Sequence, residues 1–408
     1  MNRVDDFGRV AVVGLGYIGL PTSVVLARTG FNVLGVDINP KVIETLRSQR
    51  LHIIEPGLQS EMLQAVNDGK LEFSSSITNC DVVIVCVPTP FEVSQSGEKR
   101  PDLKYVLDVA AALGAADVSP RLVILESTCP VGATEIFAER LKQEYKRGTD
   151  FRIAYCPERV LPGNVLHELV CNDRVVGGID DESTELAHGF YSRFVTGRIH
   201  TTNSRTAEMC KLTENSFRDL NIAFANELSL ICDDAEVDVW ELIKLANCHP
   251  RVDILSPGVG VGGHCIAVDP WFLVSQFQEN SALISLSRSV NDRKPLWVAD
   301  KIKTLSSEKI DKRIVCWGVA FKPDIDDFRN SPAMQVVTAL INEGHDIVVV
   351  EPNAEQLPGV TMVSIDEALI LSGLHAVLVK HSEFSVADVR TQLLNLSAAD
   401  FCGLFATH

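Results

Sequence analysis

Several features are scarce or missing in this sequence, and each absence excludes a class of protein. The 408 residues include 37 basic and 54 acidic side chains, which give a formal net charge of −17 at pH 7. This lack of positive charge argues against nucleic acid or an anionic membrane as a general partner. No apolar run reaches the roughly 18 residues that cross a bilayer, and the N-terminus lacks the basic-then-apolar pattern of a signal peptide. We therefore expect a cytoplasmic protein that binds neither nucleic acid nor membrane.

The eleven cysteines include no C-x-x-C pair, so zinc-ribbon and thioredoxin-like proteins are poor matches. Their odd number and irregular spacing predict mostly buried, reduced thiols, and we expect no metal site. What the chain does contain is ordinary for a soluble globular protein, because 46% of the residues are hydrophobic and 22% are charged. This length and composition fit two or three domains.

Short apolar runs alternate with helical patterns in the first part of the chain. A helix is predicted over Thr22–Thr29. Such alternation is typical of βαβ units on a parallel sheet. The four predicted strands are Arg9–Val13, Phe31–Val36, Cys80–Val87 and Leu122–Glu126.

The first strand runs into a glycine motif, GLGYIGLP, which opens the first helix. Gly14 makes the tight turn, Gly16 lets a pyrophosphate reach the backbone, and Gly19 lets helix pack on strand. Tyr17 and Ile18 complete the loop, whose helix N-terminus favours anions. Asp37 ends the second strand about 20 residues further on, where a carboxylate bonds the ribose hydroxyls and repels a 2′-phosphate. The combination predicts NAD rather than NADP, whereas a glycine-rich turn without a ligand is the alternative.

Two threonines follow the third and fourth predicted strands. Thr89 lies in VPTP and Thr128 in ESTCP. Ligands of open α/β sheets bind at the carboxyl ends of the strands, so both residues are candidates to contact the cofactor or the reacting group. Local hydrogen bonds at a strand end explain them equally well, and both interpretations stay open.

The later part of the chain begins with a long amphipathic helix, predicted over Arg205–Glu236, and a second helix over Val239–Asn247. A loop follows over Cys248–Pro270. After Asn291 the opening pattern returns, since RIVCWGVAF, HDIVVVEPN and LHAVLVKHSEF echo the first strands. We predict an α/β fold with two Rossmann-like αβ domains joined by a central helical domain with a long helix. The predicted domains are residues 1–200, which bind NAD, 201–298, which are helical, and 299–408.

Two further patterns carry chemistry. Cys265 lies in PGVGVGGHCIAVDP, where glycines let a ligand approach the backbone and a thiol is within reach of a substrate. A nicotinamide cofactor with a nucleophilic thiol predicts oxidation through a covalent intermediate. Lys211 and Asn215 share one helix face and can hold an oxyanion or a water. The alternatives are a small buried cysteine and an ordinary solvated helix face.

Six segments, taken in order, are similar to motifs of the UDP-glucose/GDP-mannose dehydrogenase family over nearly the whole chain. They are GLGYIGLP, ESTCPVGAT, YCPERVLPG, AEMCKLTENSFRDLNIAFANE, GVGVGGHCIAVDP and FKPDIDDFRNSPA. Within the family, three stretches resemble the branch that oxidises UDP-N-acetyl-D-mannosamine for a bacterial surface polysaccharide, such as enterobacterial common antigen. They are CPERVLPG, NSRTAEMCKLTENSFRDLNIAFANELSLIC and NCHPRVDILSPGVGVGGHCIAVDPWF. The resemblance implies a homodimer built on the central helical domain, which also carries catalytic residues. It implies that residues 299–408 form the UDP-sugar-binding αβ domain.

The resemblance also implies an NAD-dependent four-electron oxidation of C6 from alcohol to carboxylate. It makes Cys265 the nucleophile, activated by Lys211, with Asn215 beside the oxyanion. Asp269 and Glu158 then position or activate water, and Thr128 is a further candidate. By the same resemblance Arg329 reaches NAD across a domain cleft. The UDP-sugar contacts it implies are Arg159, Val160, Lys211, Asn215, Arg218, His249, Arg251, Gly262, Phe321 and Lys322.

One departure from the family pattern bears on the substrate. The UDP-glucose branch has a lysine three residues after its cysteine, whereas this chain has Val268. An N-acetylated sugar is therefore expected, with the N-acetylglucosamine epimer as the alternative substrate. His264 is either a helper of the base or a packing residue, and Cys129 receives no role.

Two other classes of protein fit the motifs less well. Nucleotide-sugar epimerases and dehydratases need a Tyr-x-x-x-Lys pair, and none of the five tyrosines has a lysine four residues on. A non-catalytic NAD-binding regulator would have no need of Cys265, Lys211, Asn215 and Asp269 together.

Overall fold

The computed structural model of the chain describes residues 7–93, 99–116, 118, 120–145, 151–161 and 163–406. The chain forms two compact units, Met1–Thr213 and Glu214–His408. Each has its own parallel sheet and its own hydrophobic core. The part of the chain that the structure describes holds no helix long and apolar enough to cross a membrane.

The first unit is built on an eight-stranded sheet in the order β10-β9-β8-β7-β4-β1-β2-β3. All neighbours are parallel except β8 and β9. A separate hairpin pairs β5 with β6. The strands are β1 Arg9–Val13, β2 Asn32–Val36, β3 Leu71–Ser74, β4 Val82–Val85, β5 Phe91–Val93, β6 Lys99–Pro101, β7 Leu122–Leu125, β8 Arg152–Tyr155, β9 Arg174–Gly178 and β10 Ile199–Asn203.

Helices cover both faces of this sheet. Val10 and Val12 belong to one core cluster, while Ala11 and Val13 belong to another. Alternate residues of β1 are thus buried on opposite faces, which explains why the strand is a continuous apolar run. The helices are α1 Gly19–Arg28, α2 Pro40–Arg47, α3 Leu58–Asn67, α4 Lys104–Ala115, α5 Ala133–Glu144, α6 Val165–Cys171 and α7 Asp181–Tyr191.

A long helix, α8 (Ser204–Asp234), runs through the boundary between the two units. Near its start, the buried Glu208 carboxylate accepts hydrogen bonds from the N–H of Gly132 (2.5 Å) and from the N–H and hydroxyl of Thr134 (2.7 and 2.6 Å). Gly132 is the N-cap residue of α5 and offers no side chain of its own. Glu208 therefore caps α5 from another helix and holds the segment that follows β7.

The second unit contains a five-stranded parallel sheet in the order β13-β12-β11-β14-β15. Its strands are β11 Ile314–Trp317, β12 Ile347–Val350, β13 Thr361–Met362, β14 Leu374–Val377 and β15 Ala399–Asp400. Two 3₁₀ turns cover Gln278–Asn280 and Ser382–Ser385. The remaining helices are α9 Val239–Ala246, α10 Asp269–Gln276, α11 Ala282–Ser307, α12 Pro332–Asn342, α13 Ile365–Leu369 and α14 Ala387–Asn395.

The predicted fold class is confirmed: both units carry Rossmann-like parallel sheets, and the long helix exists. The element bounds differ slightly. Helix α1 begins at Gly19 rather than Thr22, since Pro21 is tolerated in a first turn. The predicted loop ends at Val268, because α10 starts at Asp269. The division into residues 1–200, 201–298 and 299–408 stays a prediction, and its second boundary falls inside α11.

Candidate active site

The glycine motif has the geometry that a bound pyrophosphate needs. A Cβ at Gly14 would lie 2.6 Å from the carbonyl oxygen of Cys86, and one at Gly19 would lie 1.8 Å from the carbonyl oxygen of Gly14. A Cβ at Gly16 would meet nothing within 4 Å, so this position faces open space. Helix α1 begins without a side-chain cap on its N-terminal amides. Tyr17 and Ile18 are partly or fully exposed beside them, and the loop therefore fits a dinucleotide phosphate.

Asp37 follows β2 at the edge of the same loop. Its Oδ2 accepts the Leu15 N–H at 2.9 Å, and its Oδ1 accepts the Asn39 N–H at 2.8 Å. The side chain is partly exposed, and each oxygen keeps a lone pair for a ribose hydroxyl. Thr89 and Thr128 are partly exposed beyond the ends of β4 and β7. Nothing in the structure separates their two interpretations.

Glu158 and Lys211 form an ion pair within the first unit. Lys211 Nζ lies 3.7 Å from Glu158 Oε2 and donates a short hydrogen bond to the Glu158 carbonyl oxygen. Burial raises the pKa of the Glu158 carboxyl, and the Lys211 ammonium opposes this shift. The Val160 N–H donates to Glu158 Oε1, while Arg159 donates to the Asp173 carbonyl oxygen at 3.4 Å. Two residues predicted for catalysis are thus brought together, with two predicted for the substrate beside them.

Sequence reasoning missed a buried polar cluster at the ends of β4, β7 and β8. The Tyr191 hydroxyl donates to Glu126 Oε1 at 2.6 Å, and the Cys86 thiol donates to Glu126 Oε2 at 3.4 Å. The Arg174 guanidinium lies 3.5 Å from Glu126 Oε1 and donates to Cys156 Sγ at 3.8 Å. An arginine at the start of the apolar strand β9 was the available signal, because such a charge is buried only with a partner.

The second unit holds the predicted nucleophile on a turn before α10. Cys265 is exposed, and its carbonyl oxygen accepts the N–H groups of Val268 (2.9 Å) and Asp269 (2.8 Å). The Asp269 side chain is buried at the first position of α10, and Asn215 Nδ2 donates to its Oδ2 at 2.5 Å. The structure therefore brings Cys265, Asp269 and Asn215 into one hydrogen-bonded group.

The other cysteines differ from Cys265 in surroundings. All eleven are free thiols, and two others, Cys171 and Cys248, are exposed as well. Burial raises the pKa of the Cys129 thiol above its ordinary value, with the Glu208 carboxylate adding to the shift. Cys129 is therefore a buried packing residue rather than a reactive thiol.

Gly262 and Gly263, just before Cys265, are needed because neighbouring protein atoms leave no room for a Cβ there. A Cβ at Gly262 would lie 2.5 Å from the Asn330 carbonyl oxygen, and one at Gly263, whose φ is +83°, would lie 2.9 Å from the Phe321 ring. The segment 318–331 therefore fits closely against the glycine loop. Lys322 Nζ lies 5.9 Å from the centre of the Phe321 ring.

His264 is bonded to the same segment. Its Nε2 lies 3.1 Å from Asp327 Oδ2, and burial lowers the pKa of this imidazole, aided by the Arg329 charge. Arg329 holds Asp327 with two side-chain hydrogen bonds of 2.9 and 2.8 Å. The guanidinium predicted to reach NAD is thus exposed and bonded within its own segment. Arg218, His249 and Arg251, predicted to contact the sugar nucleotide, are exposed on α8 and in the loop after α9.

Comparison with known proteins places these residues in a family. Residues 8–195 match the NAD binding domain of the UDP-glucose/GDP-mannose dehydrogenase family, residues 205–293 its central domain, and residues 315–400 its UDP binding domain. The UDP-N-acetyl-D-mannosamine dehydrogenase of Campylobacter jejuni is 48% identical over 93% of this chain and 97% of its own. An NDP-N-acetyl-D-galactosaminuronic acid dehydrogenase of Ralstonia nicotianae is 47% identical over 94% of this chain and 93% of its own.

A solved structure agrees with these sequence matches. The UDP-N-acetyl-mannosamine dehydrogenase of Staphylococcus aureus superposes with a TM-score of 0.84 at 38% identity, covering 93% of this chain and 90% of the other. The predicted NAD cofactor and nucleotide-sugar dehydrogenase class are confirmed. The chain belongs to the UDP-glucose/GDP-mannose dehydrogenase family.

Proposed function

We propose that this protein oxidises C6 of UDP-N-acetyl-D-mannosamine to a carboxylate through a thioester on Cys265. UDP-N-acetyl-D-glucosamine is the alternative substrate. One observation carries the mechanism: Cys265 is an exposed thiol whose turn is hydrogen-bonded to Asp269, which in turn is held by Asn215. An accessible thiol, a fixed carboxylate and an amide donor suit thioester chemistry.

The overall reaction consumes one alcohol, two NAD and one water, and it yields one carboxylate, two NADH and three protons. The chemistry that bound NAD supplies is the acceptance of one hydride from C6 in each of the two oxidations. The Cys265 thiolate adds to the aldehyde carbon, and a C–S bond forms while the carbonyl oxygen becomes an alkoxide. Loss of hydride from this adduct leaves the thioester. Water then adds to the thioester carbon, and the C–S bond breaks to release the carboxylate and the thiolate.

Helix α8 carries two groups suited to the oxyanion of these steps. Lys211 and Asn215 are one turn apart on the same face. The ammonium stabilises negative charge on oxygen, and the amide N–H supplies a directed hydrogen bond. We assign Lys211 and Asn215 to hold the C6 oxygen as its charge develops.

Glu158 is suited to activate the hydrolytic water. Burial raises the pKa of its carboxyl towards the range in which a general base works best near neutral pH. The neighbouring Lys211 ammonium keeps the carboxylate form accessible. Asp269 positions Asn215 and the Cys265 turn. Thr128 and Thr89 stay candidates to contact NAD.

The UDP moiety carries two phosphates, which suit guanidinium forks and lysine charges. We assign Arg218, His249, Arg251, Phe321 and Lys322 to the nucleotide, with Arg159, Val160 and Gly262 beside the sugar. Phe321 and Lys322 lie in the stretch that matches the family's UDP binding domain. Arg329 is assigned to NAD, which requires it to leave Asp327.

The N-acetylated substrate is supported by two observations. Val268 stands where the UDP-glucose branch has lysine, and the C. jejuni relative is named for the mannosamine sugar. The Ralstonia relative, named for a galactosamine-derived acid, has almost the same identity. The product would supply the uronic acid of a bacterial surface polysaccharide, the enterobacterial common antigen type being our proposal. Eleven free thiols and the use of NAD suit the cytoplasm.

The test supplies UDP-N-acetyl-D-mannosamine, its gluco and galacto epimers and UDP-glucose separately to wild type, Cys265→Ser and Cys248→Ser. We expect NADH formation with the manno sugar, at least about 1,000-fold slower turnover in Cys265→Ser, and normal turnover in Cys248→Ser, whose thiol is also exposed. Preference for the gluco epimer would move the substrate to the alternative. Normal turnover by Cys265→Ser would refute the thioester.

A further inference from the structure

The two units share a strand order and an acidic residue at the same point in it. The orders β3-β2-β1-β4 and β13-β12-β11-β14 correspond strand for strand. Asp37 follows β2, and Glu351 follows β12. In a dinucleotide-binding sheet this acid receives the ribose hydroxyls. Asp37 is partly exposed and open to such a ligand, whereas Glu351 is only 4% exposed.

Both oxygens of the Glu351 carboxylate are hydrogen-bonded to groups of the protein itself. Its Oε2 accepts the N–H groups of Val319 (2.7 Å) and Ala320 (3.1 Å), and its Oε1 accepts the Asn353 N–H (3.0 Å). His381 Nε2 lies 3.1 Å from Oε2. Burial raises the pKa of this carboxyl, but the hydrogen bonds from His381 and the backbone outweigh it and lower the pKa overall. The imidazole N–H thus bonds the acid where a ribose hydroxyl would in the first unit.

The second nitrogen of His381 reaches a different part of the same loop. The Asp324 N–H donates to His381 Nδ1 at 2.9 Å, so Nδ1 is an acceptor and Nε2 carries the proton that faces Glu351. Asp324 has a φ of +61°, and its Oδ1 accepts the Ser382 N–H at 2.7 Å. Possible ligand atoms of Asp324, His381 and Glu383 lie within 4.8 Å of one another. Both imidazole nitrogens already have protein partners, so this cluster is not assigned to a metal.

These bonds fix the loop between β11 and α12 at two points. Glu351 holds its base at Val319 and Ala320, and His381 holds its middle at Asp324. Phe321 and Lys322 lie between the two points. The Phe321 N–H donates to the Asp327 carbonyl oxygen at 3.1 Å, which closes the loop on itself. A loop held in this way loses less conformational entropy when a ligand binds to it.

We infer that Glu351 and His381 are a positioning pair that holds Phe321 and Lys322 ready for the nucleotide part of the substrate. Neither residue touches the reacting atoms. In the second sheet the acid is bonded to the protein itself and shapes a substrate loop. The inference rests on the proposed function only in naming a uridine nucleotide as the ligand.

Two substitutions separate the two bonds of His381. In His381→Asn, the side-chain oxygen can reach the place of Nδ1 and keep the Asp324 bond, while the donor to Glu351 is lost. In His381→Gln, the longer amide can reach Glu351, while the acceptor for Asp324 is lost. The matched control is His375→Gln. This buried imidazole of the same sheet accepts the Trp317 Nε1–H at 3.1 Å, and its other nitrogen bonds the Leu371 carbonyl oxygen at 3.1 Å, so both partners lie outside residues 318–331.

The readouts are UDP binding by calorimetry, KM for each substrate, kcat and thermal unfolding. Each His381 variant should raise the Kd for UDP and the KM for the UDP-sugar about tenfold, as loss of a buried hydrogen bond implies. The KM for NAD and the kcat should change less than about threefold. His375→Gln should lower the melting temperature and leave UDP binding unchanged.

The outcomes distinguish this inference from the proposed function. Wild type that binds neither UDP nor a UDP-sugar would refute the proposed function. Wild type that binds UDP, with folded His381 variants that bind it equally well, would refute the positioning pair. Hydrogen exchange of the wild type covers the case in which the variants do not fold. The amides of Val319, Ala320 and Asp324 should be protected without ligand, and rapid exchange there would overturn the inference.

Discussion

Lys294 shows what burial does to a single charge in this protein. Its Nζ donates to the Ser229 hydroxyl at 2.6 Å and lies 4.1 Å from the centre of the Trp297 ring. The side chain lines a cavity of about 290 Å³, together with Asp233 and Lys301. Burial lowers the pKa of the Lys294 amine to about 7, and the Asp233 carboxylate opposes the shift.

This depressed pKa predicts how stability depends on pH. An unfolded lysine titrates near 10.4, so between pH 7 and about 10 the unfolded chain binds more protons than the folded one. The free energy of unfolding of wild type, relative to Lys294→Met, should therefore increase from pH 7 to pH 10. Urea unfolding across that range measures the difference, and Lys301→Met controls for removing a lysine from the same cavity. A difference that stays constant with pH would contradict the shifted pKa.

Residues whose role follows from local backbone geometry were the ones that could be predicted. Gly14, Gly16 and Gly19 act through local backbone geometry, and their spacing alone indicated the phosphate loop. Glu351 and His381 are 30 residues apart, and no local pattern joins them. The Arg329–Asp327 bond also escaped prediction, because a basic residue in a motif does not show which carboxylate it contacts before a ligand arrives.

At the scale of elements, helix α8 exposes an apolar stripe. Phe217 is 69% exposed, Phe224 53% and Ile231 58%. They recur every seven residues, which places them on one side of a helix. Large exposed apolar side chains in a row are typical of an interface. We propose that the stripe is the contact of a homodimer, as the family resemblance implies.

The dimer proposal predicts the effect of a charge in this stripe. Phe224→Glu should change the mass found by light scattering from about twice the monomer to the monomer, because a buried carboxylate without a partner is costly. Ile370→Glu is the control, since Ile370 is 85% exposed at the C-cap of α13. It should leave the mass unchanged. A wild-type protein that runs as a monomer would contradict the proposal.

Element types were easier to predict than element ends. The run Cys80–Val87 predicted one strand, but the strand β4 covers only Val82–Val85. The Cys86 N–H still bonds the Val13 carbonyl oxygen of β1 at 2.7 Å, and the chain leaves the sheet after this residue. The pattern of apolar residues continues past the last strand hydrogen bond, so sequence periodicity overestimates the strand. Helix α8 was predicted within two residues at each end, because its amphipathic pattern is long.

At the scale of the whole molecule, one fold type serves two purposes. In the first unit, Asp37 is open to a nucleotide. In the second unit, the corresponding acid, Glu351, is hydrogen-bonded to His381. The chain carries a net charge of −17 and still has a binding domain for NAD, an anionic cofactor, because the amides at a helix N-terminus favour phosphate locally. The six family motifs are spread over all parts of the chain, which explains why the family could be predicted while the sugar epimer could not.

The central claim is a four-electron oxidation completed on one enzyme. The most direct test is the number of NADH molecules formed per UDP-N-acetyl-D-mannosamine consumed, measured by absorbance with the sugar limiting and NAD in excess. The thioester route predicts two NADH per sugar and a uronic acid as the only released product. One NADH per sugar, with a free C6 aldehyde in solution, would contradict it.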